Sequence, residues 1–142
     1  QGVKASTTGT VYGVYDMSGG AWEYVAGYVN NGHGNLTNYG SSLVNGDAKT
    51  KNVYSKASSD SYENNYNANS SKYGDAVYET STNGSGSTSW YGDYSYFPNA
   101  GGPFFRRGGG YGNGTGAGVF YFDNNYGSSS SVHSFRPVLV AL

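Results

Sequence analysis

Apolar residues fall along this chain in short bursts separated by polar and glycine-rich stretches. Residues 119–122 (Val-Phe-Tyr-Phe) and 135–140 (Phe-Arg-Pro-Val-Leu-Val) are dense in β-branched and aromatic side chains, and read as the strongest strands. Residues 11–15 predict a shorter strand, and 21–25 form a second apolar segment near the start. No window holds a 3.6-residue apolar stripe over the length of a helix. Residues 21–28 come nearest, but Gly27 would end a helix early, so strand or irregular structure is expected there. Residues 30–72 are mostly Asn, Ser, Gly and Lys, with Leu36, Leu43, Val44 and Val53 as apolar anchors. Compact domains seldom carry so long a loop untethered, so Tyr54, Tyr62, Tyr66 and Tyr73 are expected to pin it. Asn-Gly pairs at 31–32, 45–46, 83–84 and 113–114 mark tight turns, because the pair tolerates positive φ. Residues 73–79 and 89–93 bracket a Ser/Thr/Gly turn, and 96–105 read as an aromatic loop.

Composition alters this picture in one respect. Only 12% of the 142 residues are charged, and polarity comes from Gly, Ser, Asn, Thr and 16 Tyr. Such a mixture could signal disorder, but disordered chains are poor in aromatics, and here they reach 17%. One loop-rich folded domain spanning 1–142 is expected. The net charge is −1, and no cationic cluster exceeds the pair Arg106-Arg107. Nucleic acid needs a basic face, so it is not an expected partner. The absence of Cys removes thiol chemistry, disulfides and thiolate metal sites. No apolar run is long enough for a membrane helix.

Two segments stand out as structural. Arg106-Arg107-Gly108-Gly109-Gly110 couples guanidinium groups to a glycine run that lets other chain segments come close. Arg107 is expected to be at least half-buried, its fork tied to backbone carbonyls or a carboxylate. Arg136 lies in an apolar run, and a buried cation needs a partner. Asp16 and Glu23 flank the opening apolar segment and are the candidates to pair with Arg107 or Arg136, while Trp22 belongs with the same core. For catalysis the residues offer little. His33 and His133 sit in unrelated polar settings and make no metal spacing. The serines come without a nucleophile elbow or an evident base. Asp75, Glu79 and Asp93 carry the hard oxygens that Ca²⁺ prefers, without a contiguous ligand loop.

The run Tyr15-Asp16-Met17-Ser18-Gly19-Gly20-Ala21-Trp22-Glu23, then Arg107-Gly108-Gly109, then Phe135-Arg136-Pro137-Val138-Leu139, resembles the sulfatase-modifying-factor type of C-type-lectin-like domain, the superfamily of the formylglycine-generating enzymes. The resemblance implies an irregular, β-rich α+β fold. It also implies a further segment ahead of residue 15, so the chain is expected to be the C-terminal portion of a longer one. The Cys pair of the catalytic branch and the histidine-rich iron site of its sulfoxide-synthase relatives are both missing, so a non-catalytic member is expected.

The region also resembles the variable proteins of diversity-generating retroelements, which display ligand-contacting residues in the corresponding C-terminal stretch. Carried over, that expectation falls on Tyr111, Asn113, Thr115, Tyr121, Asp123, Asn124, Asn125, Tyr126 and His133. Tyr gives rigid contact area while Ser, Gly and Asn adapt their hydrogen bonds, as in antibody paratopes. The ligand would be a protein or glycan outside the cell. A different class of role is a subunit of a pilus-like appendage, with Tyr54, Tyr62 or Tyr91 between copies.

Overall fold

The computed structural model describes Thr10, Val11 and residues 19–135. Asp16 and Arg136, most of the expected first strand, and the last expected strand beyond Phe135 lie outside those residues. Among the described residues, five strands form one sheet: β1 (Trp22–Asn30), β2 (Asn52–Ser55), β3 (Phe104–Arg107), β4 (Phe122–Asn125) and β5 (His133–Phe135). Two α-helices accompany them, α1 (Gly34–Asn45) and α2 (Tyr62–Ala68). The fold is therefore mixed α+β and irregular, with long connections.

β1 organises the sheet. One of its edges pairs antiparallel with β3, which pairs in turn with β4. Its other edge is shared: β5 runs parallel to Trp22–Tyr24, and β2 runs parallel to residues 27–30. Opposite β3, the register slips between Tyr24 and Tyr28, so four steps along β1 answer two along β3. That is a bulge, and it bends the strand where its partner on the far edge changes.

Strand alternation then sorts the core into two halves. Val29, Tyr54, Phe105 and Phe122 face one side, packing with Tyr66, Val77 and Phe97. Tyr28 and Phe104 face the other, under Leu36, Leu43 and Val44 of α1. The sheet is covered on one face by α1 and on the other by α2 with the segment around 77–97.

Both helices depart from the sequence expectation, for a definite reason. The inward stripe of α1 is Leu36, Gly40, Leu43 and Val44, and its second member has no side chain to register as apolar. Gly40 is needed there: a Cβ would sit 2.4 Å from the Phe104 ring, and the helix kinks at this point. Local capping starts it, since His33 Nδ1 accepts the Asn35 N–H at 3.1 Å. In α2 the inward stripe is Asn65, Tyr66 and, at the C-cap, Asn69, so amides fill helical positions normally held by aliphatics. Asn65 receives the Ala57 N–H and donates to Asp60 and to the Pro98 carbonyl. Asn69 pairs with both backbone groups of Ser55, at 2.8 Å each, tying the helix to the end of β2. Each buried amide is thus satisfied, as low dielectric requires.

The tethering of 30–72 is uneven. Tyr54 and Tyr66 are interior, Tyr62 leans on Tyr96, and Tyr73 remains largely exposed. The strand expected at 119–122 begins only at Phe122. Upstream, the Phe120 N–H is held by the Asp93 carboxylate and the Tyr121 N–H by the Gly118 carbonyl, which commits that backbone to a turn. Conversely, Phe104 and Phe105, expected in a loop, open β3.

Candidate functional site

The base of the site is an ion pair inside the β3–β4 ladder. Arg106 and Asp123 are register partners, and the guanidinium holds the carboxylate with two contacts, Nε to Oδ1 at 2.8 Å and Nη2 to Oδ2 at 2.5 Å. Both residues are buried. Tyr121 donates its hydroxyl to the same Oδ2, and Trp22 Nε1 donates to the Tyr121 oxygen at 3.1 Å. The Arg106 guanidinium also lies over the Trp22 ring, 4.7 Å from its centre, a cation–π contact strengthened by exclusion of water. His133 Nε2 approaches Arg106 Nη1 to 2.7 Å. A guanidinium can only donate, so Nε2 is the acceptor, and Nδ1 is left to donate to the Ser128 carbonyl at 3.2 Å. Tyr24 closes the cluster by donating to Asn125. Burial pushes the Asp123 carboxyl upward, against the opposing pull of Arg106.

This corrects the expected assignments. Tyr121 and Asp123, placed by sequence reasoning at a ligand surface, are interior, and His133 is half-buried against Arg106. Positions 121, 123 and 125 alternate onto the face that carries Arg106, which takes them from solvent. Among the described residues, Arg106 meets the opening segment at Trp22, while Asp16 and Arg136, two of the groups expected to pair, lie outside them. Arg107 points to the other face, where its guanidinium covers Phe122 at 5.4 Å and donates to the Asp75 carbonyl. Burial lowers its pKa, while Asp75 and Glu79 resist the shift. Glu23 is the register partner of Arg107 across β1 and β3.

The glycine run serves this base. A Cβ on Gly110 would lie 2.7 Å from the Trp22 ring, so only glycine lets the chain cross that close to the indole. From there the connection between β3 and β4, residues 108–121, turns outward. Tyr111 is 79% exposed and Val119 half exposed, and Thr115 is open to solvent. Asn113 folds back, its Oδ1 accepting the Gly110 N–H at 2.8 Å. The remaining expected residues gather at the opposite end of β4. Asn124 donates to Asn99, Asn125 accepts from Tyr24 and from the Gly127 N–H, and Tyr126 is exposed. One expected patch is therefore an interior network and two separate ends.

The structure adds Trp90 to the site and places Tyr91, expected only as a contact between copies, beside it. Trp90 stands edge-on to Phe120 with ring centres 5.2 Å apart, and Tyr91 stacks on Phe120 at 5.9 Å and 22°. Tyr91 is 90% exposed and Trp90 55%. Tyr91 also sits in the left-handed region, at φ 62°, ψ 11°, which costs a residue with a Cβ about 1 kcal/mol or more. The support beneath is firm. Asp93 Oδ2 accepts the Phe120 N–H at 2.9 Å, and the Tyr94 N–H reaches the Gly116 carbonyl at 3.0 Å. Burial raises the Asp93 carboxyl, partly offset by the N–H groups of Phe120 and Tyr121. The one sequence signal was the adjacency of Trp90 and Tyr91 in a Ser/Gly-rich stretch.

No protein-family model, curated protein or solved structure matches the chain.

What the arrangement can do follows from its groups. The three expected calcium ligands are each engaged locally: Asp75 with the Val77 N–H, Glu79 with the Gly74 N–H, Asp93 with Phe120. Among the described residues, no group of three or more His, Cys, Asp or Glu could hold a metal. A cleft of about 390 Å³ runs beside the β1 bulge, lined by Lys49, Lys51, Asn52, Asp75 and Arg107. Its charged groups are already bonded in part, Lys51 to the carbonyls that end α1 and Arg107 to Asp75. No described helix is long and apolar enough to cross a membrane. Tyr54, a candidate for contacts between copies, is enclosed in the chain's own core.

Proposed function

We propose that this is a non-catalytic recognition domain, displayed outside the cell on a scaffold of the C-type-lectin-like, sulfatase-modifying-factor kind. The observation that carries the reading is a division of labour along 108–135. Arg106, Asp123, Tyr121 and His133 satisfy one another in the interior, while Tyr111, Thr115 and Val119 project from the same connection into solvent. A base held by a bidentate ion pair can carry changing side chains above it, because the loop's own contacts do not set the register. The exposed types suit recognition: a rigid aromatic beside small polar groups. The partner is a protein or glycan met outside the cell, reached through neutral loops.

Sister chains from one population test this reading. Substitutions should concentrate at Tyr111, Asn113, Thr115, Val119 and Tyr126 and spare Arg106, Asp123, Tyr121 and Trp22. Substitutions spread evenly over both sets would end it.

A further inference from the structure

We infer that Trp90, Tyr91 and Phe120 form a platform for the pyranose rings of an uncharged polysaccharide. The inference rests on the recognition reading and assigns it a ligand class, at residues that lie mostly outside the connection 108–121.

Three aromatic rings from two distant segments meet on the surface, one stacked on Phe120 and one against its edge. A hydrophobic group brought together to be buried would not leave Tyr91 90% and Trp90 55% exposed. The backbone that carries the rings is held as well, through Asp93 to the Phe120 N–H and through the Trp90 N–H to the Thr80 carbonyl at 2.8 Å. The attachment points of the rings are therefore fixed, which lowers the ordering cost when a ligand settles on them.

Charge selects the ligand. From 73 to 105 and from 108 to 135 the chain contains no Lys or Arg, while Asp75, Glu79, Asp93 and Asp123 lie within those stretches. A sulfated or uronic sugar or a nucleic acid would find no cation on those segments, since Asp93 and Asp123 are buried and no Lys or Arg stands among them. Stacked bases could use the rings, but their phosphates need a basic groove. A neutral pyranose fits both constraints. Its axial C–H bonds make one face apolar and slightly positive, which suits the negative face of an aromatic ring. Its hydroxyls need small neutral partners at the rim.

Electrophoresis of the whole chain through gels containing a neutral glucan, mannan or galactomannan, with dextran sulfate as the charged control, tests the assignment. Retardation is expected in at least one neutral gel and not in dextran sulfate. Tyr91→Ala and Trp90→Ala should each weaken it about tenfold, and both should keep the wild-type unfolding midpoint. Trp90 emission should shift on binding in the wild type. Free migration of the wild type in every neutral gel, or variants retarded as strongly as the wild type, would overturn the proposal. So would self-association of the pure chain that Tyr91→Ala abolishes, since a second copy would then own the platform. The sister-chain comparison reads residues outside this platform, so the two ideas can fail separately.

Discussion

Replacing Asp123 with Ala strikes the group on which the β3–β4 ladder and the Trp22 cluster both depend. The carboxylate accepts two guanidinium N–H bonds from Arg106 and the hydroxyl of Tyr121. Its loss leaves a buried guanidinium whose remaining described partners are His133 and the Trp22 ring. Removing one partner of such a pair costs about 3–5 kcal/mol, much of it the penalty of a buried charge without a counter-ion. Against a total stability of roughly 5–15 kcal/mol for a domain, that is a large share. Urea unfolding followed by tyrosine fluorescence should show the midpoint falling steeply with an unchanged slope. The double variant Arg106→Met, Asp123→Leu should recover most of the loss, because two apolar groups of similar size need no pairing. A loss below about 1 kcal/mol for Asp123→Ala, a value typical of an exposed pair, would show the ion pair to be no foundation.

Three further outcomes follow from particular contacts. Asn69→Ala removes three bonds of 2.8 Å, to Ser55 N–H, Ser55 C=O and Asn65 C=O; at about 1 kcal/mol each it should cost roughly 3 kcal/mol in urea unfolding, and a neutral result would refute the buried-amide account of α2. Gly84→Ala would put a Cβ 2.6 Å from Tyr66 and 2.9 Å from Phe97, so thermal unfolding should fall by several degrees, whereas Gly86→Ala, with open space around it, should lose only the smaller cost of its positive φ. The Asp93 carboxyl is raised by burial in the folded chain, so its folded form holds a proton that the unfolded chain releases. Its contribution is then most favourable below the ordinary carboxylate value near ~4 and is lost as pH rises through the folded value. Asp93→Asn keeps an acceptor for Phe120 and removes the charge; its stability relative to wild type should improve from pH 4 to pH 7, and a constant difference across that range would contradict the assignment.

Much of the architecture could be read from local pattern, and the reasons it stopped short are specific. The glycine run after Arg107 announced itself, since successive glycines have few other uses, while residues 21–28 were left open between strand and irregular structure and prove to be β1. The helices gave no such signal, because their inward stripes are written in Gly40, Asn65 and Asn69 in place of aliphatics. Nothing local distinguishes a buried, fully bonded asparagine from one facing water. Among the expected contact residues, Tyr111 and Thr115 are as open as foreseen, whereas Tyr121 and Asp123 are not, and the difference is strand phase. The grouping of Trp90 and Tyr91 with Phe120 could not be read locally, because Phe120 lies about thirty residues away.

The amino-acid order by itself determined that this is a neutral, aromatic-rich, loop-heavy domain without thiol chemistry, since those are properties of composition and survive any arrangement of the chain. It also marked the turns at Gly32 and Gly114, which take positive φ, but not those at Ala76 and Tyr91, which do so with a Cβ. Tertiary structure alone decided which of two adjacent arginines meets Trp22, which carboxylate it pairs with, and which tyrosines keep water. Those choices depend on the register of β3 against β1 and β4, where a slip of one residue would exchange Arg106 for Arg107 and turn the interior network outward.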